Sequence, residues 1–346
     1  MENGPLARGV SIIDRPAAPD FVRFPVGAPP RFLVTIDTEE EFEWGAPLRR
    51  EGHGLETIPA FARFQQFCEG FGVVPLFLID HPIATAPATA AVLGAAIAAG
   101  KAEIGVHLHP WVNPPFEEDV NNFNSFPGNL PASLEQAKLA ALQAAIETNL
   151  GVRPQIYRAG RYGIGPNSAT MLREAGITID TSVRALFDYS STGGPDFCDH
   201  PRRPYWLDRQ GGLVELPVTT VFGGLLRQWG GQIYPRLWRE PRLRAVMARA
   251  RLLERLPLTP EGIRPAEAVR GIDAALAEGL PLLVFSFHSP SLAPGHTPYV
   301  RDAADLDAFY DWWRRIFTHL ARRGVAPTSV REVVASLPLA SRETAS

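Results

Sequence analysis

The chain has 346 residues, more than one typical domain and fewer than three, so it holds one large domain or two small ones. An apolar fraction of 45% with 21% charged residues excludes wholesale disorder and collagen-like repeats, and a net charge of −3 excludes a globally basic nucleic-acid binder. Cys68 and Cys198 are too few for a disulfide framework or a cysteine-rich zinc site, and both read as inert thiols.

Residues 1–30 carry six prolines and no apolar stretch of the kind a signal peptide needs; they read as an extended arm, and a cytoplasmic protein is expected. From Arg31 onward short apolar runs alternate with helical patterns. Strands are expected at Phe32–Asp37, Val73–Ile79, Glu103–His109, Gln155–Ala159, Ile177–Ser182, Leu213–Val218 and Leu282–His288. The alanine-rich run Ala84–Ala99 is broken by Pro87 and is shorter than the roughly 20 residues that cross a bilayer. Ser133 with Gln136 has the spacing of a capping box and predicts a helix to about Asn149 that stops at Gly151. Asn167 is expected to cap a short helix ending at Gly176, and Thr259-Pro260 precedes a helical stretch that closes at Gly279. Leu306, Phe309, Tyr310, Trp313, Phe317 and Leu320 recur at helical spacing, an amphipathic helix over Ala303–Arg323. Repeated β-then-α order predicts a parallel sheet with helices outside it, and seven strands suit a closed or nearly closed barrel. Neither GxGxxG nor GxxxxGK[ST] is present, so nucleotide binding has no support. The expected organisation is an arm at 1–30, one barrel at 31–337 with an irregular insertion at about 184–258, and a tail at 338–346.

In such a barrel the carboxyl ends of the strands converge on one face, where chemistry is built. The first predicted strand ends in Asp37-Thr38-Glu39-Glu40-Glu41, the third in His107-Leu108-His109, the fourth in Arg158, and the last in His288. His107 and His109 stand two apart on a strand, so both rings face one side and form half of a divalent-metal site. Asp37 and Glu39 share the same register, and this acidic run supplies at least one functional carboxylate; Glu41 and Glu43 are left to solvent. Arg158 either closes a rim salt bridge or holds a catalytic carboxylate ionised. His288, in a run otherwise apolar, is a candidate general acid. His296 reads as a rim residue, whereas His53, His81, His200 and His319 have no partner legible in the sequence.

Taken together, Thr35-Ile36-Asp37-Thr38-Glu39, Glu103-Ile104-Gly105-Val106-His107, Arg158-Ala159-Gly160-Arg161-Tyr162 and Leu283-Val284-Phe285-Ser286-Phe287-His288 resemble, in order, the motifs of the polysaccharide deacetylase family. This is the NodB-homology group, carbohydrate esterase family 4, and the likeness is to its WalW-like branch, over about Arg31–Leu337. The resemblance implies a distorted (β/α)7 barrel and metal-dependent removal of an N-acetyl, sometimes O-acetyl, group from a sugar or glycan precursor. It implies one divalent ion, Zn2+ first with Co2+, Ni2+ or Mn2+ as alternatives, and a place in surface polysaccharide or lipopolysaccharide biosynthesis. By position Asp37 would be the general base, His107 a metal ligand, Arg158 the tether of that base and His288 the general acid. The sequence departs from the pattern at three places. Thr38 replaces a second aspartate, which passes the ligand role to Glu39; Trp111 stands at the usual second histidine, which passes it to His109; and Gly160 replaces a proline. Tyr162 and Trp111 are the candidates for oxyanion and substrate contacts.

Arg236 to Leu256 contains seven arginines against Glu240 and Glu254, interleaved with apolar residues. This is either an outer helix, or two broken at Pro241, with a solvated arginine face, or an interfacial element that makes a peripheral contact with anionic lipid. The expected partner is an acetylated sugar or lipid-linked glycan and not nucleic acid. The rival functions are a carbohydrate-binding relative without catalysis and a metal-dependent amidohydrolase acting on a non-sugar amide.

Overall fold

Apolar alternation along the strands decides which way each side chain points, and that sorts the barrel into an oily outside and a layered inside. The computed structural model describes residues 11–17, 20–25, 27–208, 212–238 and 240–337. Its first half comprises β1 (Arg31–Thr38), α1 (Ala60–Glu69), β2 (Leu76–Ile79), α2 (His81–Thr85), α3 (Pro87–Ala98), β3 (Glu103–Leu108), α4 (Ala132–Leu150), β4 (Ile156–Ala159), α5 (Ser168–Glu174) and β5 (Ile179–Asp180). The second half comprises β6 (Tyr205–Asp208), β7 (Leu213–Glu215), β8 (Thr220–Gly223), α6 (Gly230–Leu237), α7 (Pro241–Arg249), β9 (Glu254–Pro257), α8 (Pro265–Ala277), β10 (Leu282–His288), α9 (Ala303–Arg322), β11 (Ala326–Pro327) and α10 (Val330–Ser336).

Seven strands run parallel in the order β10-β1-β2-β3-β4-β5-β7, with β6 antiparallel on the outer edge of β7. The ring is a distorted (β/α)7 barrel, because β7 and β10 share no ladder and single residues past the ends of β7 and β9 close the gap to β10. The Thr219 N–H donates to the Val284 carbonyl at 3.0 Å, its hydroxyl accepts the Val284 N–H at 2.8 Å, and the Ser286 N–H reaches the Leu258 carbonyl at 3.3 Å. The antiparallel pair β8–β9 stands beside this seam.

Outward residues of β1 and β10, among them Phe32, Phe285 and Phe287, pack under Trp313 and Phe317 of α9. Inward residues are apolar toward the amino ends, where Leu33, Leu78, Ile156, Ile179, Val214 and Leu282 cluster with Val22 below and with Val330 and Val333 of α10. One pleat higher the inward positions turn polar. Gly105 lies at that transition, and a Cβ there would stand 2.5 Å from Leu78 Cδ2 and 2.7 Å from Ile156 Cγ2. Only hydrogen fits.

Several boundaries differ from the sequence expectation. β2 starts at Leu76 because Pro75 has no N–H to give the ladder, and β7 ends at Glu215, two residues before Pro217. α4 starts at Ala132 after Pro131, so Ser133 sits inside the first turn and caps nothing; Asn167 likewise makes no side-chain cap. β6, β8 and β9 fall in the section read as irregular, and the arginine-rich segment 236–256 holds the end of α6, then α7 starting at Pro241, then most of β9, so only its middle is the expected helix. Ala84–Ala99 is divided between α2 and α3 at Pro87, and no helix among the described residues is long and apolar enough to cross a membrane. Of the amino-terminal arm, Ile12 and Val22 are buried and Phe21 bridges Tyr205. Residues 1–10, 18, 19 and 26 of that arm, Arg239, and the tail 338–346 lie outside the described residues.

Candidate active site

Strand register brings the expected residues to one height. Asp37 on β1 is opposite His288 on β10, and His107 on β3 is opposite Arg158 on β4. Asp37, Glu39, His107, His109, Tyr162 and His288 border one cavity of about 490 Å³ at the carboxyl ends of the strands.

On one side of it stand Glu39 and the two histidines. Glu39 Oε2 lies 3.6 Å from His107 Nε2 and 3.4 Å from His109 Nε2, while its Oε1 is buried without a partner. Each ring spends its other nitrogen elsewhere. His107 Nδ1 donates to the Arg158 carbonyl at 3.2 Å, and His109 Nδ1 donates to Glu40 Oε2 at 3.0 Å. Those bonds fix the protons on Nδ1 and leave both Nε2 lone pairs aimed at the Glu39 carboxylate. Burial pushes His109 down to about 4 and lowers His107 as well, so both are neutral donors; it pushes Glu39 up to about 7. Two neutral imidazoles and a carboxylate, with one oxygen unsatisfied, fit a divalent metal ion.

Glu40 is the support the sequence reading left unassigned. Its carboxylate takes the His109 proton donor on one oxygen and the Trp111 indole N–H, at 2.7 Å, on the other, and Trp111 stacks on His109 at 4.2 Å. Asp80, at the end of β2, receives the Glu40 N–H at 2.7 Å and caps α2 through the Ile83 N–H. Burial, with the Glu40 side chain close by, holds the Asp80 carboxyl well above its usual range. Trp111, expected as a substrate contact, lines the cavity with its ring and spends its polar atom inside the wall.

Across the cavity Arg158 is fully buried. Its Nη1 meets Asp37 Oδ1 and Ser286 Oγ, the latter at 2.8 Å, and its Nε donates to the Thr181 carbonyl at 3.0 Å. Burial pushes the Asp37 carboxyl up, but the charges of Arg158 first and of His288 outweigh it and hold it below the ordinary aspartate value. The tether is therefore to a carboxylate, not a rim contact. His288 Nε2 stands 4.0 Å from Asp37 Oδ2, and its Nδ1 is paired with Glu261 Oε2 at 2.7 Å. Burial disfavours the imidazolium, yet Glu261, Glu39 and Asp37 overcome that and raise His288 to about 10. Glu261 comes from the loop between β9 and α8, and it also accepts the His288 N–H and the Ser291 hydroxyl.

The rim is built from loops. Arg161 and Tyr162 both adopt positive φ, 55° and 60°, a strained turn that brings both residues into the cavity wall. Gly160 begins that turn because a Cβ would lie 2.5 Å from both the Leu108 carbonyl oxygen and His109 Cδ2. Trp44, from the loop after β1, stands edge-on to His288 at 5.0 Å and stacks with Phe42 at 5.7 Å, giving the cavity an aromatic wall. Glu41, assigned to solvent from the sequence, is buried instead: its Oε1 accepts the Thr57 N–H at 2.5 Å and its main chain bridges Gly54. Glu43 is exposed, and His296 faces Glu41 at 3.5 Å on the rim. His319 pairs with Asp273 at 3.0 Å and His200 with the Ile12 carbonyl at 3.3 Å.

No protein-family model matches the sequence, and no curated protein matches it. Among solved structures, a protein assigned as a polysaccharide deacetylase from Mycobacterium smegmatis aligns with a TM-score of 0.46 at 16% identity, over 91% of this chain and 95% of that one. A 4-alpha-glucanotransferase from Thermococcus litoralis aligns with the same TM-score of 0.46 at 14% identity, over 89% of this chain and 38% of that one. The Xyl-CE4 domain of a multidomain xylanase from the hindgut metagenome of Trinervitermes trinervoides gives 0.41 at 10% identity, over 89% and 90%.

Proposed function

We propose that residues 31–337 form a metal-dependent hydrolase that removes an acetyl group from an amino sugar or glycan precursor. The observation that carries this reading is the opposition of an ionised Asp37 and a protonated His288, 4.0 Å apart, beside the Glu39–His107–His109 trio in one cavity. A base and an acid kept in opposite protonation states by their surroundings are what amide hydrolysis requires. The sugar follows from the motif resemblance and from the Phe42–Trp44 wall, which offers a pyranose an apolar face.

A divalent ion held by Glu39, His107 and His109, with zinc the first candidate, supplies Lewis acidity toward the acyl oxygen and a nucleophile at neutral pH. Asp37 accepts the proton of the attacking water, and Arg158 keeps that carboxylate ionised and aimed. The main chain at Tyr162 faces the oxygen that becomes negative as the carbonyl carbon turns tetrahedral. His288 donates its Nε2 proton to the departing nitrogen, and Glu261 holds the ring at that angle. The C–N bond breaks, and the products are acetate and a free amine.

The test is acetate release from N-acetylglucosamine oligomers and O-acetylated sugars after loading with zinc or cobalt. Release by the wild type and none by His288→Ala supports the reading. A protein that holds the metal and binds the oligomers, yet releases no acetate from any of them, is the binding relative and overturns it.

A further inference from the structure

The surface of the insertion is unlike the rest of the molecule in two independent ways. Of nine large apolar residues exposed among the described residues, four lie here: Leu225 at 78%, Trp229 at 51%, Leu243 at 46% and Val246 at 56%. Leu243 and Val246 are three apart on α7, a helix none of whose residues is buried. The main chain at Leu225 lies beside the end of that helix, its N–H donating to the Arg251 carbonyl. The second difference is charge. Elsewhere Arg264 pairs with Glu267, Arg301 with Asp305, Arg314 with Asp311 and Arg323 with Asp273, while the exposed arginines without an ion pair among the described residues, Arg23, Arg49, Arg63, Arg203, Arg315, Arg322 and Arg331, are dispersed along the chain and not gathered into one short segment. Arg227, Arg236, Arg242, Arg249 and Arg251 are exposed and none makes an ion pair among the described residues. Apolar side chains interleaved with unpaired arginines suit one occupant, a surface that is greasy and anionic at once.

We infer that α6, α7 and the turn before them dock this protein on an anionic lipid bilayer. The patch is wired to the active site by stacked contacts. Trp238, beyond α6, lies under the Arg255 guanidinium at 4.4 Å; Arg255 covers Phe187 at 3.4 Å; Arg184 covers Phe187 at 4.0 Å and Tyr162 at 5.2 Å; and Tyr162 borders the cavity. The lipid contact itself rests on the insertion's surface and not on the hydrolytic reading.

The experiment is vesicle flotation of the full chain with phosphatidylcholine alone and with phosphatidylglycerol added, at low and high salt, without any sugar. Binding is expected only with phosphatidylglycerol and is expected to fall at high salt. Leu243→Glu with Val246→Glu, and separately Arg227→Gln, Arg242→Gln and Arg249→Gln together, should each weaken it by at least about tenfold. All five side chains are exposed, so thermal unfolding should not change, and acetate release from soluble oligomers should not change either. If a variant fails to fold, the lipid and salt dependence of the wild type still decides. No flotation with phosphatidylglycerol at low salt overturns the inference. So does binding lost with the arginines but untouched by the two glutamates, which marks a plain polyanion surface. A dimer in solution that Leu243→Glu dissolves, with no vesicle binding, assigns the face to a second copy and overturns it equally.

Discussion

Two imidazole–carboxylate pairs flank the cavity, and they end in opposite states. On the β1–β3 side His109 gives its Nδ1 proton to Glu40 at 3.0 Å and is driven down to about 4. On the β10 side His288 gives its Nδ1 proton to Glu261 at 2.7 Å and is driven up to about 10. The partner is the same kind of group at much the same distance, so the pair alone does not set the charge. His109 is 3% exposed, its carboxylate is already shared with Trp111, and His288 and Arg161 add repulsion. His288 is 27% exposed and faces three carboxylates, Glu261, Glu39 and Asp37. A single carboxylate orients a ring; burial and the remaining charges decide whether it can bind metal or carry a proton.

The largest expected effect comes from emptying the neutral side. His107→Ala with His109→Ala should leave purified protein without divalent metal by elemental analysis and without acetate release, while circular dichroism stays that of the wild type. Stoichiometric metal in that double variant would remove Glu39, His107 and His109 as the ligand set. Next is Asp37→Asn, which keeps the shape and removes the proposed base. Turnover should fall by roughly 10²- to 10⁴-fold with metal content unchanged. Undiminished turnover would mean that Asp37 serves only to neutralise Arg158.

The two supporting carboxylates separate the sides directly. Glu40→Gln should weaken metal affinity by about 10- to 100-fold and leave turnover at saturating metal near that of the wild type. Glu261→Gln should do the reverse, keeping metal affinity and moving the alkaline limb of turnover down from about 10. The sign of the stability change is fixed as well. His288 rises from an ordinary 6.5 to about 10 on folding, so its contribution is complete below pH 6.5 and is lost as pH climbs through 10. In Glu261→Gln that alkaline loss should shrink, as thermal unfolding from pH 6 to 10 would reveal. An identical pH dependence in the two proteins would show that Glu261 does not set the charge on His288.

The sequence exposed one side of this comparison better than the other. Asp37, His107, Arg158 and His288 stand at the carboxyl ends of long apolar runs, where a polar residue is conspicuous, and β1, β3, β4 and β10 lie within a residue or so of their expected bounds. Asp80 ends Leu76-Phe77-Leu78-Ile79 in the same way, and the same rule applied to β2 identifies it. Glu40 carries no such mark. It sits between Glu39 and Glu41, and only the course of the chain beyond the end of β1 decides that Glu39 faces the cavity while Glu40 turns to Asp80 and Trp111 and Glu41 to Thr57. Glu261 was illegible for a different reason. Its loop reaches His288 only because β8 and β9 pair across a thirty-residue excursion, from Gly223 to Glu254, and such non-local pairing leaves no local pattern. The capping-box expectation at Ser133 failed on Pro131, which starts α4 one residue ahead of it.

The smallest expected effect on chemistry, though not on folding, is at Gly105. Both sides of the cavity stand on the same floor, since Gly105 precedes His107 by one pleat and its register partner Leu78 is in turn the partner of Asp37. The Cβ of Gly105→Ala would press on Leu78 Cδ2 and Ile156 Cγ2, and the Ile156 carbonyl oxygen is close behind at 3.1 Å. Side-chain tips can yield but the β4 main chain cannot, so the substitution should cost about 1–3 kcal/mol of stability by denaturant unfolding. Metal affinity and the pH profile should keep their wild-type values, because the lesion lies beneath the ligands and touches none of them. A variant that folds with wild-type stability would show that the floor is softer than its contacts imply. One that keeps its stability and loses metal would mean that this floor, more than Glu40, positions His107 and His109.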